Sequence, residues 1–152
     1  MRRQYRIIVA TLLLGCGSDG GLATKAVDVS GTWGGTLTYQ TAARTVVTPL
    51  GLTIVQTGSQ VTGKMSGTTG AGAPSTGTVT GTQTGSSLSL TLTGSKSTLE
   101  DCDLYPVTLT FDVGTDALTL KSISGPDCRG DNMGGHRSLD PITGGSLTMK
   151  KQ

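Results

Sequence analysis

The chain has 152 residues and 15.4 kDa, one domain's worth, which excludes a two-domain enzyme built around an inter-domain cleft. Hydrophobic residues make up 34%, aromatic residues 3% and charged residues 14%, while Gly supplies 24 positions; this balance excludes a helical bundle, which needs Ala, Leu, Glu and Lys. A formal net charge of +2 also excludes a chain kept unfolded by its own charge, leaving a small β protein with polar faces.

Residues 1–16 read MRRQYRIIVATLLLGC, with Arg2, Arg3 and Arg6 ahead of an apolar run from Ile7 to Leu14 that is too short for a permanent membrane span. This is the pattern of an export signal. Its end, Leu13-Leu14-Gly15-Cys16, resembles the lipobox of bacterial lipoproteins, in which the chain is cut before the Cys and the thiol is acylated. The resemblance implies a signal peptide over 1–15 and a bilayer anchor at Cys16 made of palmitate-type acyl chains. Two such chains already give stable anchoring, at roughly 0.8 kcal/mol per buried CH₂. It also implies outer-membrane sorting in a Gram-negative host, because Gly17 stands where Asp commonly retains these proteins at the inner membrane.

Removal of 1–15 takes away three of the twelve basic residues and none of the ten acidic ones, so the mature chain has nine against ten, a net charge of −1. With Lys and Arg scattered, a nucleic-acid partner has no electrostatic footing. Residues 17–26, GSDGGLATKA, lack periodicity and read, with Cys16, as a spacer between the anchor and a folded domain over 27–152.

From Val27 onward the period is two. Strands are expected at roughly Val29–Gln40, Leu50–Gln56, Gln60–Ser66, Thr76–Thr82, Ser87–Thr93, Pro106–Val113, Ala117–Ser124 and Gly145–Lys150. Leu88, Leu90 and Leu92, for example, alternate with Ser and Thr, so one face is apolar and the other hydroxylated, as an antiparallel sheet with one wet side requires. Gln-Thr-Gly-Ser occurs at 56–59 and again at 83–86, each time between two alternating runs, which marks two tight hairpins. Eight meandering strands have two edges to protect, and closure into an up-and-down barrel removes both.

Val29-Ser30-Gly31-Thr32-Trp33 resembles the first strand of the lipocalin and avidin superfamily, with its Gly-x-Trp, and Val61-Thr62-Gly63-Lys64-Met65 fits an avidin-like strand. The resemblance implies that Trp33 closes one barrel end, with Lys150 of the last strand packed against it in place of the usual Arg. Avidins line their biotin site with several Trp residues, and Trp33 stands alone, so biotin binding is not expected. The expected inward set is Trp33, Leu37, Leu52, Ile54, Val61, Met65, Val79, Leu88, Leu90, Leu92, Leu109, Phe111, Leu118, Leu120, Leu147 and Met149. Two per strand is about enough to fill a small barrel, and a filled interior is favoured over a cavity.

Cys102 and Cys128 remain as an even pair in an oxidising compartment, and a disulfide is favoured over metal ligation. They bracket the hairpin turning at Gly114–Ala117. With Val113 set opposite Leu118 they arrive one residue out of register, an offset a bulge can absorb.

Eight of the ten acidic residues lie between Glu100 and Asp140, near both Cys. A weak calcium site is conceivable there, but the spacing matches no calcium loop, and Lys96, Arg129 and Arg137 can neutralise the cluster. No metal or other cofactor is therefore expected. His136, the single His, lies in a Gly-rich stretch with no nucleophile elbow or paired carboxylates, so no catalytic constellation is present.

The connections with the least turn-like chemistry are 67–76, Ser95–Tyr105 and Gly125–Gly144. A recognition surface is expected on the last two, at Asp103, Asp127, Arg129, Asp131, His136 and Arg137. The functional expectation is a non-enzymatic, membrane-anchored envelope module binding a protein or glycan through loops, or a small apolar ligand inside. The alternative is a lipocalin-like protease inhibitor of the envelope, whose free N-terminal segment would here be tied to lipid.

Overall fold

The computed structural model describes residues 27–68, 74–94, 106–130 and 137–152, and every regular element among them is a β-strand. These are β1 (Gly31–Thr41), β2 (Thr45–Thr57), β3 (Gln60–Thr68), β4 (Pro74–Thr84), β5 (Ser87–Gly94), β6 (Val107–Val113), β7 (Ala117–Ser124), β8 (Pro126–Gly130), β9 (Arg137–Ser146) and β10 (Thr148–Lys151). Sequential neighbours from β1 to β7 pair antiparallel, and β10 pairs with both β7 and β1, which closes the sheet.

The ten strands form an eight-stranded up-and-down barrel, because two pairs are halves of longer strands. From Trp33 to Gln40, β1 meets β10 and β9 in one register, with Thr38 opposite Ser146 and Gly34 opposite Lys150, so β9 and β10 are the eighth strand interrupted at Leu147. β7 and β8 are likewise one strand bent at Gly125, whose φ of 137° lies in a region that L side chains rarely adopt. A Cβ there would also press on the Pro106 carbonyl. The register of Thr119 with Thr148 carries through to Pro126 with Pro141, giving a final hairpin that extends past the sheet.

This hairpin corrects one expectation: Gly125–Gly144 is not simply a loop, since β8 and the first half of β9 pair within it. Its residues carry too few apolar side chains to show a period of two. The pairing instead continues the register of the strands that feed it.

Closure requires curvature, and glycine supplies it at inward positions. A Cβ on Gly81 would fall against the Ser89 carbonyl of β5 and one on Gly63 against the Thr53 carbonyl of β2, so the strands approach there more closely than any side chain permits.

All sixteen residues expected to face inward are buried or partly buried and belong to one core, to which the structure adds Val29, Leu50 and Ile123. Val113 does pair with Leu118, as expected. A bulge between Thr110 and Phe111 then shifts the pairing to Leu109 opposite Ile123, which turns Ile123 inward. Cys102 and the Cys128 side chain lie outside the described residues, and so does the expected bridge.

The two ends of the barrel differ. At one end Trp33, Leu52, Ile54, Val61, Leu88, Phe111, Leu118 and Met149 are essentially inaccessible, and residues 27–30 cross beneath them with Val29 fully buried. Trp33 Nε1 donates to the Val29 carbonyl at 2.9 Å. The repeated Gln-Thr-Gly-Ser turns hold this strap. The Val29 amide donates to Gln56 Oε1 at 2.9 Å, and Gln83 Nε2 donates to the Val27 carbonyl at 3.0 Å. Each Gln also donates to a carbonyl of its own turn, at Gly58 or Gly85.

The lysine over the indole is Lys151, with Nζ 5.6 Å from the ring centroid, rather than the expected Lys150. Lys150 pairs with Gly34 and lies on the opposite face, because the alternation that buries Leu147 and Met149 puts residue 151, not 150, on the side of the indole, although both lysines are exposed.

Candidate functional site at the barrel mouth

The opposite end is the mouth. The strands flanking 69–73, 95–105 and 131–136 all terminate there, together with the β1–β2 turn at 42–44, whereas the closed end has only tight turns. All three connections singled out in the sequence thus leave and re-enter the barrel at one end. Core side chains loosen in the same direction: Leu37, Val46, Leu50, Leu92 and Ile123 are buried less completely than the closed-end residues, and the inward-facing Tyr39, Met65, Val107 and Ile142 are only partly covered.

A charged strut crosses this rim. Asp127 of β8 is 6% exposed. Its carboxylate accepts from Arg44 Nε at 3.0 Å and Nη2 at 2.9 and 3.1 Å, and from the Tyr39 hydroxyl at 2.9 Å. The bidentate geometry suits a guanidinium and a carboxylate and fixes the orientation of both. Each partner is held by its own element: Tyr39 lies near the end of β1, and Thr41 Oγ1 accepts from the Ala43 and Arg44 amides, shaping the turn that presents Arg44. Close by, the Thr48 hydroxyl donates to the Thr68 carbonyl at 2.6 Å, tying β2 to the end of β3.

Burial pushes the Tyr39 phenol above its ordinary value, and donation to the Asp127 carboxylate and the charge of that carboxylate push it further, against a smaller opposing effect of Arg44. A raised folded-state value means that the fold favours the neutral phenol. Its contribution to stability is therefore intact below about pH 10, the unfolded value, and is lost as the pH rises beyond it. Urea midpoints followed into the alkaline range should fall more steeply for the wild type than for Tyr39→Phe; parallel profiles would show that Tyr39 carries no such linkage.

The expected recognition residues divide three ways. Asp127 faces the rim and is engaged by Arg44 and Tyr39. Arg129 and Arg137 occupy β8 and β9, where Arg129 pairs with Ser138 and Gly130 with Arg137, and the barrel rim is therefore where their strands carry them. Asp103, Asp131 and His136 lie outside the described residues, as does Cys16. Tyr39 and Arg44 carry no signal in the sequence, because Arg44 stands 83 residues from its partner and follows an unremarkable Thr-Ala-Ala. Among the described residues no group of three or more His, Cys, Asp and Glu is placed to hold a metal ion.

Fold and rim together define a closed, antiparallel, up-and-down β-barrel that is plugged at one end and gathers its long connections at the other. No protein-family model matches the chain, and no curated protein is similar to it. Solved structures share the fold. EF1p2_mFAP2b bound to DFHBI superposes with a TM-score of 0.58 at 14% identity, over 81% of this chain and 93% of that one. A de novo designed fluorescence-activating β-barrel gives 0.51 at 12% identity over 81% and 93%, and a redesigned β-barrel gives 0.50 at 17% over 81% and 90%. At these identities the likeness is one of fold.

Proposed function

We propose that this protein is a lipid-anchored envelope lipoprotein whose barrel is a non-catalytic binding module, taking a protein, a glycan or a small apolar molecule at the mouth. The observation that carries this reading is the asymmetry of the barrel. One end is sealed by Trp33 and the strap, while the other gathers every long connection around a rim braced by Arg44, Asp127 and Tyr39. A rigid scaffold that presents loops at one end spends little ordering entropy on binding. Of the barrels that share the fold, one was solved bound to DFHBI and another is fluorescence-activating, which supports a small molecule as one form of ligand.

The anchor reading rests on Arg2, Arg3, Arg6 and Leu13-Leu14-Gly15-Cys16. Cys16→Ser should release the protein from membranes or leave it unprocessed, as read by fractionation and intact mass. Normal processing with unchanged membrane association would end the lipoprotein reading. Native mass spectrometry of protein purified from its own host separates the two forms of binding. A retained small molecule supports an interior ligand, whereas the bare polypeptide mass assigns binding to the loops.

A further inference from the structure

We infer that the strap gives the anchored molecule a fixed polarity, with the sealed end toward the bilayer and the mouth toward water, so that the partner at the mouth is a water-borne molecule and not bilayer lipid. This rests on the lipid-anchor reading of Cys16. The chain enters the fold at Val27, whose carbonyl accepts from Gln83, and Val29 is locked between Gln56 and Trp33. Both Gln side chains come from the repeated turn sequence. One motif therefore does two things: it closes two hairpins, and it binds the incoming chain to the end of the barrel remote from the mouth.

Distance then decides the orientation. Gly17–Ala26 are ten residues and, whatever conformation they take, reach at most about 35 Å. β2 runs nearly the whole height of the wall with 13 residues, which at the usual rise and barrel tilt is roughly 30 Å. For the mouth to meet the bilayer, the ten residues would have to run almost fully extended along the outside of the barrel. With the sealed end down they can adopt nearly all of their conformations, and that difference in available states favours one polarity. The outer wall is largely hydroxylated, the exposed face of β4 being Thr76, Thr78, Thr80, Thr82 and Thr84, and Val47 and Val55 of β2 stand among its exposed residues as separate apolar side chains.

The test uses the full lipidated chain in phospholipid vesicles that carry a headgroup-linked quencher. A clickable non-canonical amino acid bearing one fluorophore replaces either Ser59, in the β2–β3 turn at the sealed end, or Ala43, at the rim; both positions are exposed. Vesicle co-sedimentation is measured on the same samples. Quenching should be several-fold stronger at residue 59 than at residue 43, and lengthening the stretch after Lys25 with a long Gly/Ser insert should erase most of the difference. Equal or reversed quenching in co-sedimenting protein would overturn the polarity while leaving the anchor intact. Failure of the protein to sediment with vesicles would overturn the anchor reading and the polarity with it.

Discussion

Trp33→Ala should lower the free energy of unfolding by about 3–5 kcal/mol, the range for removing a large aromatic from a core. Trp33 is 1% exposed and is the central side chain of the sealed end. Truncation leaves a void among Leu52, Met149 and their neighbours, removes the donor to the Val29 carbonyl and takes the ring from beneath Lys151. Trp33→Phe should cost less, because much of the buried area returns although the N–H does not. Urea denaturation followed by far-UV circular dichroism measures both variants. Because Trp33 is the only tryptophan, the emission of the native protein is an independent check. A solvent-exposed emission maximum, or a loss below about 1 kcal/mol on Trp33→Ala, would contradict its role as the plug.

Asp127→Ala should have the second largest effect, about 1–3 kcal/mol, because it strands a guanidinium and a phenol that both lose their acceptor. The full penalty for breaking a buried ion pair does not apply, because Arg44 keeps 32% of its side chain exposed and water can take up part of the loss. The damage should concentrate at the rim: amide exchange should quicken in β8 and β9 before it does in β4 or β5. Asp127→Asn keeps the shape and an acceptor, and should fall between the wild type and Asp127→Ala. Since Tyr39 and Arg44 share one carboxylate, Asp127→Ala combined with Tyr39→Phe should be less damaging than the sum of the two alone. Full additivity, with unchanged exchange at the rim, would show that the strut contributes little to holding the final hairpin.

The strands legible in the sequence are those in which hydrophobic alternation and turn chemistry agree. Ser87–Thr93 has Leu at every second position and follows directly on Thr-Gly-Ser, so its extent and inward face both emerge from local patterning, and β5 lies at Ser87–Gly94. The same patterning yields the Val113–Leu118 pair. Where alternation fails, legibility fails with it. Pro126–Gly130 contains no Val, Leu or Ile to show a phase, and it is a strand because β7 delivers it beside β9 in a register already established. The family pattern points to Lys150 over the indole, although the phase of Leu147 and Met149 already points to 151.

The roles of single polar residues are least legible. In the sequence Asp127 belongs to an acidic cluster near Arg129 and Arg137, but the cation it meets comes from the β1–β2 turn. Gln56 and Gln83 look like parts of turns and nothing more. Only closure of the barrel brings both beside the incoming Val27–Ser30 segment, and so reveals their second task.

What the sequence by itself determined is therefore the local and periodic part of this protein: a β chain of period two, its hairpin turns, a wet and a dry face, and a closed barrel as the means of protecting two edges. These follow from side-chain shape, glycine at turns and the burial of alternate residues, all of which act between near neighbours. Only the tertiary structure decided how the Val27–Ser30 strap is held across the Trp33 end, and which charges meet across the rim. Such pairings join residues that are dozens of positions apart. Their geometry depends on the tilt, stagger and bulges of the whole barrel, which no short stretch of chain specifies.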